Sequence, residues 1–203
     1  SYIYDEIAAI HSPAVILDLV KRLHLDLSYF RPGYFRDDPL YAESLPVEVE
    51  FHELDDNASA SFKMTLNGDS TVTMTEIVLR GTSIDSTYHF FVGRPADSPF
   101  GSMTIKPTLY YKKEMRGDIL VTRTSFTTAA AIYGSKISAA QQPGTRSIID
   151  IRCVDNSISR ADNILRTIVS IYGEQWVQTR NQISVATNEF IKERLAVIEE
   201  ELG

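Results

Sequence analysis

The sequence predicts an α+β fold: a mixed or antiparallel sheet with flanking helices and one long C-terminal helix projecting from it. Three observations lead there. Between Val47 and Cys153 apolar residues alternate with polar ones in several short runs, the period of half-buried strands. Two of these runs are joined through Asn67-Gly68, a strong hairpin signal. From Ile158 the period changes to three and four, through Ala161, Leu165, Ile168, Tyr172, Trp176, Ile183, Ala186, Phe190, Ile191, Leu195, Ile198 and Leu202, which is the signature of a helical stripe.

Taken in order, Tyr2 to Ile10 reads as a weak helix. Ser12-Pro13 forms an N-cap and first-turn pair, and Ile16, Leu19, Val20 and Leu23 share one face, so Pro13 to about His24 is helical. Leu25 to Tyr41 mixes aromatics with Pro32, Gly33, Asp37, Asp38 and Pro39 and reads as an irregular surface connection. Val47, Val49 and Phe51 mark a strand. Phe62, Met64 and Leu66 mark a second, and Val72 and Met74 a third beyond the Asn-Gly. Tyr88 to Val92 and Ile119 to Arg123 are further strands, with a connection around Pro95 to Gly101 between them. Phe126 to Tyr133 predicts a short helix capped by Ser125, and Ile149, Ile151 and Cys153 the last strand. The long helix then spans 157–202, bent if anywhere at Gly173, and at 1.5 Å per residue it is roughly 65–70 Å long. About 20 residues of it, roughly 30 Å, reach past any body of this size and leave Phe190, Ile191, Leu195, Ile198 and Leu202 needing a partner. The stripe is still running at Glu199-Glu200-Glu201-Leu202-Gly203, so the sequence reads as a segment of a longer chain.

The composition narrows the function. With 203 residues and 43% hydrophobic content the chain can bury a core, and no linker or repeat divides it. A net charge of −7, without a cluster of Lys and Arg, argues against nucleic acid. No apolar run is long enough to span a bilayer. The single Cys153 excludes an internal disulfide and a cysteine metal cluster. His11, His24, His52 and His89 stand at no metal-site spacing, so surface or capping roles are expected. Asp55-Asp56-Asn57 lacks the alternating oxygens and terminal Glu of a calcium loop and reads as a turn. There is no Gly-x-Ser-x-Gly elbow and no Gly followed by Lys, which removes serine-hydrolase and phosphate-loop chemistry from this stretch. Tyr29, Tyr34, Tyr41, Tyr88, Tyr110, Tyr111 and Trp176 are candidate sugar-stacking aromatics, though packing is their commoner fate. No catalytic, cofactor-binding or metal-binding residue is expected, and no cofactor.

Several stretches resemble one family. HSPAVILDLVKRLHLDLSYF, LYAESLPVEVEF, SPFGSMTI and the final DNSISRADNILRTIVSIYGEQWVQTRNQISVATNEFIKERLAVIEEELG are similar to the periplasmic region of polysaccharide co-polymerases, the Wzz-type chain-length determinants. The style of ATNEFIKERLAVIEEEL looks most like the branch that carries a cytoplasmic tyrosine autokinase. The resemblance covers most of the chain, is weakest from Asn57 to Tyr88, and rests on helix patterns without a catalytic signature. It implies one periplasmic domain over 1–203, held at the bacterial inner membrane by flanking spans that lie outside this sequence. It also implies homo-oligomeric rings that work with a polysaccharide polymerase, the outer-membrane export machinery and the growing polysaccharide, setting the length of capsular or exopolysaccharide without making or breaking a bond. The residues alone leave two alternatives open: a carbohydrate-binding or carbohydrate-acting domain, and a coiled-coil adaptor of an export pump.

Overall fold

The computed structural model describes residues 2–203. In chain order it runs through α1 (Tyr2–Ile10), α2 (Pro13–Leu23), β1 (Leu27–Arg31), β2 (Asp38–Leu40), β3 (Val47–Phe51), β4 (Ala60–Asn67), β5 (Thr71–Leu79) and β6 (Thr82–Ile84). It continues through β7 (Tyr88–Phe91), β8 (Pro95–Ser98), β9 (Gly101–Pro107), β10 (Arg116–Arg123), α3 (Phe126–Lys136), β11 (Ile137–Gln141), β12 (Ile149–Cys153) and α4 (Ile158–Leu202). The fold is α+β, and every strand pairing among the described residues is antiparallel.

The largest sheet has the order β2-β1-β10-β4-β5, and the outer edge of β5 is shared by two short strands. Thr71 to Met74 pair with β7, whereas Ile77 to Leu79 pair with β6. The change of partner falls where the β4/β5 register shifts and Glu76 takes φ 53°, because a bulge bends one strand and redirects its edge. A second sheet, β3-β9-β8, lies against the first. The two bury a common core that includes Val47, Val49, Phe62, Met64, Met74, Met103 and Ile105. Inside it Phe51 and Phe62 each meet the Phe100 ring at 5.5 Å between centroids.

A separate core joins the helices. Val15, Ile16, Leu19 and Val20 of α2 pack with Ala129 and Tyr133 of α3 and with Ile164, Ile168 and Ile171 of α4, and Ile149 and Ile151 of the β11-β12 hairpin pack against its side. Local chemistry sets the helix starts. Ser12, Ser125 and Ser157 each accept a backbone N–H from three residues on, as N-caps do. The end of α2 is set by His24, whose φ of 52° closes the helix in the left-handed conformation.

Several expectations need correction. Leu25 to Tyr41 is not an irregular connection, because Leu27–Arg31 and Asp38–Leu40 pair as a hairpin with β1 lying inside the large sheet. The Pro and Gly residues that suggested a loop are its turn, and Pro39 is tolerated because β2 is an edge strand. Likewise Pro95 to Gly101 is the start of the β8-β9 hairpin, closed at the pair Ser98 and Gly101. By contrast, the hairpin expected at Asn67-Gly68 is present: β4 and β5 pair antiparallel across a three-residue loop in which Gly68 and Ser70 carry the positive φ values. Finally, α3 runs on past Tyr133 to Lys136.

Candidate functional site: the projecting helix

The root of α4 is fixed by charge as well as by packing. The Asp155 side chain is fully enclosed and takes hydrogen bonds from Lys136 Nζ at 2.7 Å, Arg160 Nε at 2.8 Å, Arg160 Nη2 at 3.1 Å and Ser157 N–H at 3.0 Å. Burial pushes its carboxyl pKa up, but the hydrogen bonds from Arg160, Lys136 and Ser157 outweigh burial and hold it below the ordinary aspartate value. The Arg160 guanidinium lies 5.7 Å from the centre of the Tyr41 ring and 5.8 Å from that of Tyr133. Asn163 Nδ2 donates to the Tyr41 hydroxyl at 3.0 Å. One turn beyond the buried Ile171, Arg22 of α2 donates to both oxygens of Glu174, at 3.0 and 2.6 Å. These side chains lock the first turns of α4 to α2, α3 and the Tyr41 segment.

Beyond Gln175 the helix makes no side-chain hydrogen bond or ion pair to the body among the described residues. Every residue from Trp176 to Gly203 is exposed, so the free arm is roughly 40 Å long at 1.5 Å per residue. This exceeds the 20-residue arm expected from the sequence, because the body reaches only to the end of α2. The five candidate contacts all lie on this arm: Phe190 is 62% exposed, Ile191 49%, Leu195 54%, Ile198 47% and Leu202 84%. At the base of the arm Arg180 lies 4.6 Å from the centre of the Trp176 ring.

The apolar residues of α4 turn around the helix along its length. At 3.6 residues per turn the expected stripe holds within about 80° from Ala161 to Phe190, and Ile191, Leu195, Ile198 and Leu202 are displaced from it by about 110°. The buried root residues Ile164, Ile168 and Ile171 have the same spacing as the exposed Ile191, Leu195 and Ile198. Each distal residue stands 27 positions after its counterpart, which is roughly seven and a half turns, so the two sets face opposite sides of the helix. Between them Ser184, Thr187 and Asn188 dilute the apolar character.

The remaining candidates are dispersed. His11 Nε2 donates to the carbonyls of Gly134, at 2.7 Å, and Ile137, at 3.1 Å, tying the end of α1 to the end of α3. His52 Nε2 lies 2.8 Å from Thr104 Oγ1. Among the described residues no three His, Cys, Asp or Glu side chains are grouped so as to hold a metal ion. Asp55 accepts from the N–H of Asn57 at 3.0 Å, a turn of the Asx kind. Of the candidate aromatics, Tyr29 and Tyr41 line one cleft, Tyr110 lines another, Tyr34 is 95% exposed, and Tyr88 and Tyr111 pack against the sheet core. Asp155 and Arg160 went unrecognised in the sequence, and Tyr41 stood out there only as a sugar-stacking candidate, not as a partner of Arg160 and Asn163. The one local signal was an aspartate two residues before the Ser157 cap.

No protein-family model matches the chain. No curated protein matches it either. Among the described residues no helix is long and apolar enough to cross a membrane.

Proposed function

We propose that this chain is the periplasmic domain of an inner-membrane polysaccharide co-polymerase, of the branch fused to a tyrosine autokinase, and that it regulates the length and export of capsular or exopolysaccharide through the geometry of its oligomer. The observation that carries this reading is the free arm of α4, whose distal apolar stripe faces away from the side that packs on its own body. Its own subunit therefore leaves the stripe uncovered, and neighbouring copies are the natural cover. Contacts between unlike faces of successive copies close into a ring when the rotation allows. The ion pairs at the root supply the second requirement, since a geometric ruler needs arms set at a fixed angle. No group in this domain makes or breaks a bond in this role. The polymerase builds the chain, and the ring sets how long the growing end stays engaged.

The test is made in the full-length protein. Leu195→Glu with Ile198→Glu is expected to abolish ring assembly and shift the chain-length distribution while the protein still reaches the membrane. Normal rings with a normal polymer distribution would show that the stripe has no role in assembly.

A further inference from the structure

Between the sheet core and the helical core lies a cleft of about 240 Å³. Two of the polar side chains lining it are themselves buried. Tyr29 is 8% exposed, and its hydroxyl accepts the Val49 N–H at 2.9 Å, while its own O–H proton meets no acceptor among the described residues. Arg123 is 4% exposed. Its Nε donates to Asp26 Oδ2 at 3.1 Å and its Nη1 to the carbonyls of Asp55, at 2.6 Å, and Ala58, at 2.8 Å. A guanidinium has five N–H groups, so both of those on Nη2 are left over. No fully enclosed side-chain nitrogen or oxygen lacks a partner among the described residues, so this Nη2 is one that the solvent space reaches.

The remaining lining complements these donors. Glu48 and Asp56 line the same cleft, both are exposed, and neither carboxylate has a hydrogen-bond or ion-pair partner among the described residues. Apolar lining comes from Leu25, Leu40, Leu45 and Leu54, and from the rings of Tyr41 and Phe126, beside which Arg160 lies at 5.7 Å and Arg123 at 5.1 Å from the ring centres. Donors, acceptors and apolar side chains around one small space match a ring that carries several hydroxyls and has C–H faces. The charge balance argues against an anion. Of the charged side chains lining the cleft, the four carboxylates of Asp26, Glu48, Glu50 and Asp56 stand against the three cations Lys106, Arg123 and Arg160, a surplus of one negative charge. Glu48 and Asp56 are the carboxylates without an ion-pair partner among the described residues. The volume falls below the ~300–1,000 Å³ of drug-sized pockets and suits a single ring.

We infer that this cleft binds one uncharged pyranose unit of a polysaccharide, with Tyr29 and Arg123 as donors, Glu48 and Asp56 as acceptors, and Tyr41 and Phe126 as walls. The inference deepens the proposed function and rests on it for the source of the sugar, the growing glycan. The chemistry of the cleft stands without it. Such a contact gives a ring of subunits a hold on the polymer whose length it sets.

The test is an amide NMR titration of the chain with glucose, galactose, N-acetylglucosamine and glucuronate. The neutral sugars are expected to shift amides of β1 and β3 with a Kd on the order of 1–10 mM, and glucuronate to bind about tenfold more weakly. Glu48→Gln and Asp56→Asn carry exposed, unpaired side chains and keep the fold, and together they weaken the neutral sugars at least several-fold. Three results would overturn the inference: no shift at the cleft with any sugar, shifts unchanged in the double variant, or glucuronate binding more tightly than glucose. If no sugar binds but the arm variants still change polymer length, this inference alone falls. If sugars bind as expected and the arm variants change nothing, the cleft stands and the assembly role is lost.

Discussion

Ile164 and Ile191 lie on opposite sides of the same helix. The first is fully buried against α2 and α3, and the second is exposed roughly seven and a half turns further on. Root and arm therefore have separate duties, one holding the fold and the other presenting an apolar surface.

That division predicts opposite responses to substitution. Ile168→Ala empties a packed site and is expected to cost about 2–5 kcal/mol. Leu195→Glu in the isolated chain changes an exposed residue and should stay within about 0.5 kcal/mol of the parent. Urea denaturation of both variants checks this. A comparable loss in Leu195→Glu would mean that the arm folds back onto its own body.

Arm and body also differ in protection. A solvated helix fed from one fixed end frays from the other, so amides beyond Trp176 should exchange with solvent much faster than those around Ile168. Hydrogen exchange on the isolated chain reads this directly, and under the proposed assembly the amides around Leu195 should slow in the full-length protein.

Asp155 sets a limit on the acid side. Its carboxyl pKa is lower folded than unfolded, so its contribution is fully present above the ordinary aspartate value of about 3.9 and is lost as pH falls from there through the depressed folded value. Asp155→Asn removes the charge that Lys136 and Arg160 face and is expected to cost about 3 kcal/mol at neutral pH. The loss relative to the parent should shrink below pH 4. Melting curves across that range test both statements, and a variant deficit that stayed constant with pH would assign the loss to packing instead.

The buried pair of Arg123 and Asp26 predicts non-additivity. Arg123→Met leaves Asp26 charged and enclosed and frees the carbonyls of Asp55 and Ala58, at a cost of about 3–5 kcal/mol. Adding Asp26→Leu should recover part of that loss. A double variant as unstable as the sum of the singles would show that the pair is not coupled.

Gly173 offers a gain. It sits within continuous helix, and a Cβ built there meets no atom within 4 Å. Gly173→Ala should therefore stabilise the chain by up to about 1 kcal/mol through helix propensity alone. A lower melting temperature would show that the arm needs its flexibility at this position.

What the sequence determined by itself is what depends on neighbours in the chain. Ser12, Ser125 and Ser157 announce helix starts because a cap is a contact across three residues, and the β4-β5 hairpin is announced by alternation around a Gly with φ of 78°. The exposure of Phe190 to Leu202 followed from length, since a helix that long outruns any body this size. Partners distant in sequence were decided only in the tertiary structure. Leu27–Arg31 is a strand because β10 pairs with it, and five residues beside Pro32-Gly33 carry no local mark of that. Arg123 finds Asp26 97 positions away, and the cleft beside them exists only once the sheet and helical cores are brought together. Even the long helix, the plainest element in the sequence, showed its two faces only when packing chose Ile164, Ile168 and Ile171 for burial, because periodicity records that residues share a face and not which face meets the core.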